Sequence, residues 1–124
     1  MDERRRYVRL DTRLKISYTV LKKDKDTFIP SETKDISGGG IRIFLSEPIP
    51  VQTFLKLTIH LPDDPKPIVC SGKTVWVEEF VVLPTEKRNE KNQFEAGVTF
   101  TEIDPKDRDR IIKYVILGYA SPKK

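Results

Sequence analysis

Alternation of apolar and polar positions divides most of the chain into strand-length segments. Leu14, Ile16, Tyr18 and Val20 alternate with Lys15, Ser17 and Thr19, the period of a half-buried strand. After a charged turn at 22–26, the segment from Phe28 to Asp35 predicts a second strand. Pro30 there calls for an edge or a bulge, because it has no N–H to give to a ladder. Ile41, Ile43 and Leu45 alternate with Arg42 and Phe44 in a third. Pro48 and Pro50 then break the chain before its cleanest alternation, Leu55, Leu57, Ile59 and Leu61 against Lys56, Thr58 and His60. A Pro-Asp-Asp-Pro turn at 62–65 leads into a long strand from Ile68 to Val77, apolar on both parities, so the pattern does not choose its inward face. Residues 84–92 are wholly polar and predict a long hairpin loop. Phe94, Ala96, Val98 and Phe100 supply the last strand.

The period then changes. Asp104 is placed to cap a helix, Pro105 fits its first position, Asp107 its first turn, and Ile111, Ile112, Val115, Ile116 and Tyr119 fall on one helical face. That stripe needs an apolar partner and an open sheet edge needs cover. The expected architecture is therefore all-β with a C-terminal helix: six antiparallel strands in a closed or nearly closed barrel over 13–103, with an amphipathic helix at 104–120. Residues 1–12 show no period and read as a flexible arm, the whole 1–124 forming one domain.

Composition narrows the setting. Of the 124 residues 37% are apolar and 34% charged, the balance of a soluble globular domain, and no apolar run is long enough to span a bilayer. The charged N-terminus lacks the apolar core of a secretion signal and the single Cys70 permits no intrachain disulfide, so a cytoplasmic location is expected. The net charge of +4 is uneven: five of the nine arginines, Arg4, Arg5, Arg6, Arg9 and Arg13, lie in the first thirteen residues, which contain no lysine. A solvated basic tail has no reason to prefer arginine. A planar fork that binds anions bidentately and stacks on flat rings does, and Tyr7, Val8 and Leu10 give this segment apolar residues that can pack.

The second concentration of unusual residues is Asp35-Ile36-Ser37-Gly38-Gly39-Gly40, which holds half of the six glycines. Taken alone it reads as an Asx-turn whose glycines permit positive φ and close approach of another group. Arg42, two residues beyond Gly40, shares the side of the strand that the turn presents.

The two concentrations together, Arg5-x-x-x-Arg9 preceded by Arg4 and Asp35-x-Ser37-x-x-Gly40 some thirty residues later, resemble the paired signature of the PilZ domain family. Phe94-Glu95-Ala96-Gly97-Val98-Thr99-Phe100 resembles its last barrel strand, so the likeness extends over nearly the whole chain. The resemblance implies a bacterial cytosolic receptor for cyclic di-GMP on a six-stranded antiparallel barrel. Its ligand residues would be Arg4, Arg5, Arg9, Asp35, Ser37 and Gly40, to which the parity of Arg42 adds that side chain. Arg5 and Arg9 would serve phosphate and guanine O6/N7, Asp35 would accept from the guanine N1–H and N2–H2 edge, Ser37 would add a hydroxyl contact, and Gly40 would keep the backbone clear of the ring. In the family, an arginine directly before the Arg-x-x-x-Arg element accompanies two stacked ligands, a role that falls here on Arg4 with Arg6 beside it.

Catalysis finds little support. His60 stands on the polar parity of its strand and reads as solvated, Cys70 has no histidine neighbour in sequence, and the acids are scattered, so no triad, zinc site or two-metal centre is assembled. The glycine turn lacks the Gly-Lys-Ser/Thr of a nucleotide hydrolase. No cofactor and no metal are expected. The lone Trp76 is expected in the core, with base stacking as the alternative. Two other functions are the alternatives: a barrel binding single-stranded nucleic acid, disfavoured because the basic residues are local rather than spread along a face, and a PilZ-like scaffold for protein contacts. The arm is expected to order on the ligand, and the output to run through an unidentified effector protein or through self-association as a homodimer.

Overall fold

The computed structural model describes residues 7–21, 27–62, 64–81 and 92–120. The predicted turn at 22–26 and most of the polar hairpin loop at 84–92 lie outside them. Seven strands and one helix follow in chain order: β1 (Arg9–Asp11), β2 (Lys15–Val20), β3 (Ile29–Ser37), β4 (Gly40–Leu45), β5 (Phe54–Ile59), β6 (Ile68–Val81), β7 (Asn92–Glu102) and α1 (Pro105–Ala120).

The pairings run β3-β2-β5-β6-β7-β4, all antiparallel, and β4 returns to pair with β3, so six strands close into a barrel. Closure removes the unpaired edges that an open sheet would expose. The alternation seen in the sequence fills the interior: Ile16 and Tyr18 from β2, Ile41, Ile43 and Leu45 from β4, Leu55, Leu57 and Ile59 from β5, and Ala96, Val98 and Phe100 from β7 are buried. Leu61 continues the β5 parity into the core. His60, on the opposite parity, is exposed.

Strand β1 is an addition to those six and falls in the segment read as an arm. Three residues are too short for a period, but Arg9, Leu10 and Asp11 pair with Ser37, Ile36 and Asp35 on β3. β3 therefore shares one edge between two neighbours, β2 along Ile29–Glu32 and β1 along Asp35–Ser37. Thr33 sits at the change-over, fully buried, where its hydroxyl accepts from the Leu14 N–H (2.9 Å) and donates to the Thr12 carbonyl (2.7 Å). Pro30 lies in the half of β3 that β4 does not reach, since the β3–β4 ladder begins at Thr33. The missing N–H thus meets a free edge.

The undecided face of β6 has a structural cause. Ile68, Cys70 and Thr74 point inward on even positions, a register shift between Thr74 and Trp76 leaves Val75 unpaired and half-exposed, and beyond it the odd-numbered Val77 packs on the core. A bulge inserts one residue and so reverses the parity of everything after it. Burial of Cys70 pushes its thiol up to about 12, and the side chain acts as a small apolar filler.

Helix α1 begins as its sequence predicts: Asp104 Oδ1 accepts from the Lys106 N–H (2.8 Å), and Asp104 O accepts from the N–H groups of Asp107 and Arg108. Arg110 pairs with Asp107 in the first turn (2.9 Å) and ties the helix to the turn between β5 and β6 through Asp64 (2.6 Å), and the same guanidinium holds the Asp64 carboxyl below its ordinary value. The helix lies over β1 and β3, burying Ile111 and Val115, with Tyr114 bonded through its hydroxyl to Thr12 (3.0 Å). Its apolar stripe is narrower than expected. Ile112 is half-buried and Ile116 is exposed, the helix packing chiefly on β1 and β3; the Tyr119 side chain is outside the description.

Thr33→Val keeps the shape but strips two buried backbone groups of their partner, which costs about 2 kcal/mol. The variant is expected to fold with a melting temperature lowered by roughly 8 °C, read by circular dichroism; an unchanged melting temperature would show that the junction does not depend on this hydroxyl.

Candidate ligand-binding site

The glycine turn joins β3 to β4 with Ser37 paired to Gly40 across it. Ser37 makes the cap: its Oγ accepts from the Gly39 N–H (3.1 Å) and donates to the Gly40 carbonyl (3.4 Å). The Asx-turn reading is thereby corrected, since Asp35 lies within β3, where its carboxylate meets arginines and leaves the capping to Ser37. The glycines are not there for positive φ either, as none of them adopts it. They are there for close approach. A side chain on Gly38 would strike the Tyr7 ring (2.7 Å to Cδ1) and Ile112 Cγ1 (2.8 Å), and one on Gly39 would press on the other edge of that ring (3.1 Å). One on Gly40 would collide with the backbone carbonyl of Val98 on β7. The run lets Tyr7 seat on the turn and lets β4 pack tightly on β7.

Asp35 is 1% exposed. A buried carboxylate needs charged or multiple hydrogen-bonding partners, and two strands supply them. Arg42 from β4 reaches its Oδ2 through both Nε and Nη2, and Arg9 from β1 brings Nη1 to 3.8 Å of the same oxygen. Asp35 is in register with Asp11 on one side and Arg42 on the other. The carboxylate holds the Arg42 guanidinium above its ordinary value, so Arg42 stays a cation throughout the accessible pH range.

Arg9, Gly40 and Arg42 line a cavity of about 300 Å3. Its other walls are Tyr7 and Gly39, the β6 bulge at Val75 and Trp76, the segment 97–100 of β7, and Arg108 of α1. Trp76 does not join the core: its indole lies over Gly97, where a methyl group would collide with the ring. The bulge at Val75 turns it outward, and the cavity gains a flat apolar wall opposite cationic ones. Such an arrangement suits a ligand that combines aromatic rings with anionic charge. A larger, more open depression of about 520 Å3 near Lys56, Ser71, Glu102 and Asp104 contains no residue of either motif and shares only Arg108 with the first.

Of the residues expected from sequence, Arg9, Asp35, Ser37, Gly40 and Arg42 are brought together. Arg4 and Arg5 lie outside the described residues, three and two positions ahead of Tyr7 on the turn. Tyr7, Val75, Gly97 and Arg108 were not anticipated. Gly97 carried a usable signal, because glycine inside a strand marks a close approach, here that of Trp76. Arg108 had none, being one charge in an exposed helical turn. Among the described residues no group of three or more His, Cys, Asp or Glu side chains could hold a metal ion, and no helix is long and apolar enough to cross a membrane.

Comparison with known proteins agrees with the fold. The family model of the PilZ domain matches residues 3–117. Among solved structures, the inhibitor of motility MotI/DgrA of Bacillus subtilis is similar with a TM-score of 0.74 at 20% identity, over 99% of this chain and 55% of that one. The PilZ domain of YcgR from Escherichia coli, solved with c-di-GMP, gives 0.70 at 14% identity over 95% and 93%. MrkH of K. pneumonia, described as a c-di-GMP-dependent transcription regulatory factor, gives 0.73 at 18% over 97% and 53%. The chain spans about half the length of MotI and MrkH. A search of curated proteins finds no match.

Gly40→Ala is expected to force β4 away from β7 and to destabilise the fold by about 2 kcal/mol or more, seen as a lower urea midpoint. Wild-type stability in that variant would mean that the Val98 carbonyl can yield and that the approach is not tight.

Proposed function

The chain belongs to the PilZ domain family, and from that premise we propose that it is a receptor for cyclic di-GMP whose ligand lies in the cavity between β1, the glycine turn and the β6 bulge. The observation that carries the proposal is the meeting of both motifs on one carboxylate: Arg9 and Arg42 converge on Asp35 at the wall of a cavity floored by glycine. YcgR, with the same fold, is a PilZ domain solved with c-di-GMP, which supports the choice of ligand.

The ligand has two phosphates and two guanines. Arg9 and the preceding Arg4 and Arg5 supply guanidinium forks for phosphate and for guanine O6 and N7. Trp76 offers a stacking face. Asp35 accepts from the guanine N1–H and N2–H2 edge, and because its carboxylate is buried under Arg42, that contact requires Arg42 to share it or to swing onto the ligand. Ser37 fixes the turn, and adds a hydroxyl where the ligand comes within reach. Residues 1–12 act as the ligand-binding arm, anchored by β1 and Tyr7. The barrel at 13–103 and the helix at 104–120 present the changed arm to an effector protein or to a second copy of the chain. The reading assigns the protein a cytoplasmic, non-enzymatic role, with no cofactor or metal.

Isothermal titration is expected to show binding of cyclic di-GMP that GTP and a short single-stranded DNA do not match at physiological salt. Comparable affinity for either control would reduce the site to charge attraction. Arg9→Ala, a half-exposed residue, should weaken binding by about 2 kcal/mol with little change in melting temperature.

Stoichiometry is a separate test. Two intercalated ligands bring four phosphates, more than Arg5 and Arg9 serve, and Arg4 is the added cation. Saturation is expected near two ligands per chain, falling toward one in Arg4→Leu; one ligand per unmutated chain, well above the dissociation constant, would leave Arg4 a solvated side chain.

A further inference from the structure

Three guanidinium groups from described residues line the cavity, and they are not equivalent. Arg9 and Arg42 are engaged with Asp35. Arg108, reaching in from the end of the first turn of α1, has no carboxylate partner among the described residues. Its neighbours are already committed, Asp107 to Arg110 and Asp104 to the helix N-terminus. Its one hydrogen bond to a described residue goes to a neutral acceptor, the Tyr7 hydroxyl (2.8 Å), and the guanidinium stands 5.6 Å from the centre of that ring. A cation this near a helix N-terminus also stands against the helix dipole. Helix stability therefore gives no reason for an arginine at this position.

We propose that Arg108 is a ligand-binding residue: its guanidinium takes a phosphate of the bound dinucleotide, so that the site draws its cations from both ends of the chain. The proposal rests on the cyclic di-GMP reading. Guanidinium has five N–H donors in a planar fork, of which Tyr7 takes one, so a phosphate can be bound bidentately without breaking the contact with the ring. Tyr7 seats on Gly38 and Gly39 and follows directly on Arg4, Arg5 and Arg6 in sequence. Its contact with Arg108 thereby joins the residue that follows those arginines in sequence to a cation at the cavity wall. Occupancy then links the arm to the helix through one phosphate.

The test is titration of the full chain with cyclic di-GMP at low and physiological salt, for the wild type, Arg108→Gln, Arg108→Lys, Tyr7→Phe and the Tyr7→Phe/Arg108→Gln pair. The expected result is a loss of about tenfold or more in Arg108→Gln, the size of one charge-assisted hydrogen bond. A flatter salt dependence should accompany it, since a charge facing the ligand is gone. Arg108→Lys should retain part of the affinity, and Arg108→Gln should remain costly in the Tyr7→Phe background. An Arg108→Gln affinity within twofold of wild type overturns the proposal. So does a double variant no weaker than Tyr7→Phe alone, because the arginine would then act only by holding the tyrosine. Should Arg108→Gln fail to fold, Arg108→Lys decides: unchanged affinity and salt dependence after loss of the planar fork overturns bidentate binding, and a loss supports it. Failure of the wild type to bind is a different result, which refutes the cyclic di-GMP reading and this inference with it.

Discussion

Burying a carboxylate without partners is prohibitively costly, and Asp35 is buried. Its partners come from opposite sides, the half-exposed Arg9 on β1 at 3.8 Å and Arg42 on β4 through two guanidinium nitrogens, and removing Arg42 would leave charge poorly compensated in a dry place. This constraint explains why a three-residue segment with no period of its own pairs with β3 at all. The Asp35–Ser37 edge is vacant because β2 stops at Glu32, Thr33 satisfies the chain at the change-over, and Arg9 is delivered beside the carboxylate. The register that adds a seventh strand beside the barrel is the register that builds the cavity wall.

The same economy holds on the far side. Gly40 allows β4 to close on Val98, and Gly97, one residue away on β7, allows Trp76 to lie flat outside the barrel. Without the β6 bulge, Trp76 would keep the strand's earlier parity and Val77 would lose its place on the core. Packing inside and a wall of the cavity outside are produced by one inserted residue.

Sequence reasoning recovers what depends on local pattern. The alternation around Leu55, Leu57 and Ile59, the Asp104-Pro105 helix start and the closed barrel with its helix are all legible, since periodicity and capping are properties of neighbours in the chain. So is the family, because its two motifs are short and specific. What escaped depends on partners distant in sequence. β1 is defined by a vacant edge 24 to 28 residues on; Arg108 meets Tyr7 only after the helix docks; the place of Trp76 follows from a bulge that no pattern on β6 announces. The capping role went to Ser37 rather than Asp35 for the same reason, since the arginines that occupy Asp35 come from other strands.

The central claim is that one site, made where the arginine strand meets the glycine turn, takes the dinucleotide. Backbone amide NMR during titration with cyclic di-GMP tests it directly. The account predicts that the largest shifts fall on Tyr7 to Asp11, Gly38 to Arg42, the Trp76 indole N–H and the start of α1, while the Lys56–Ser71 face stays still. Shifts centred on that face, or spread evenly over the basic surface, would contradict it.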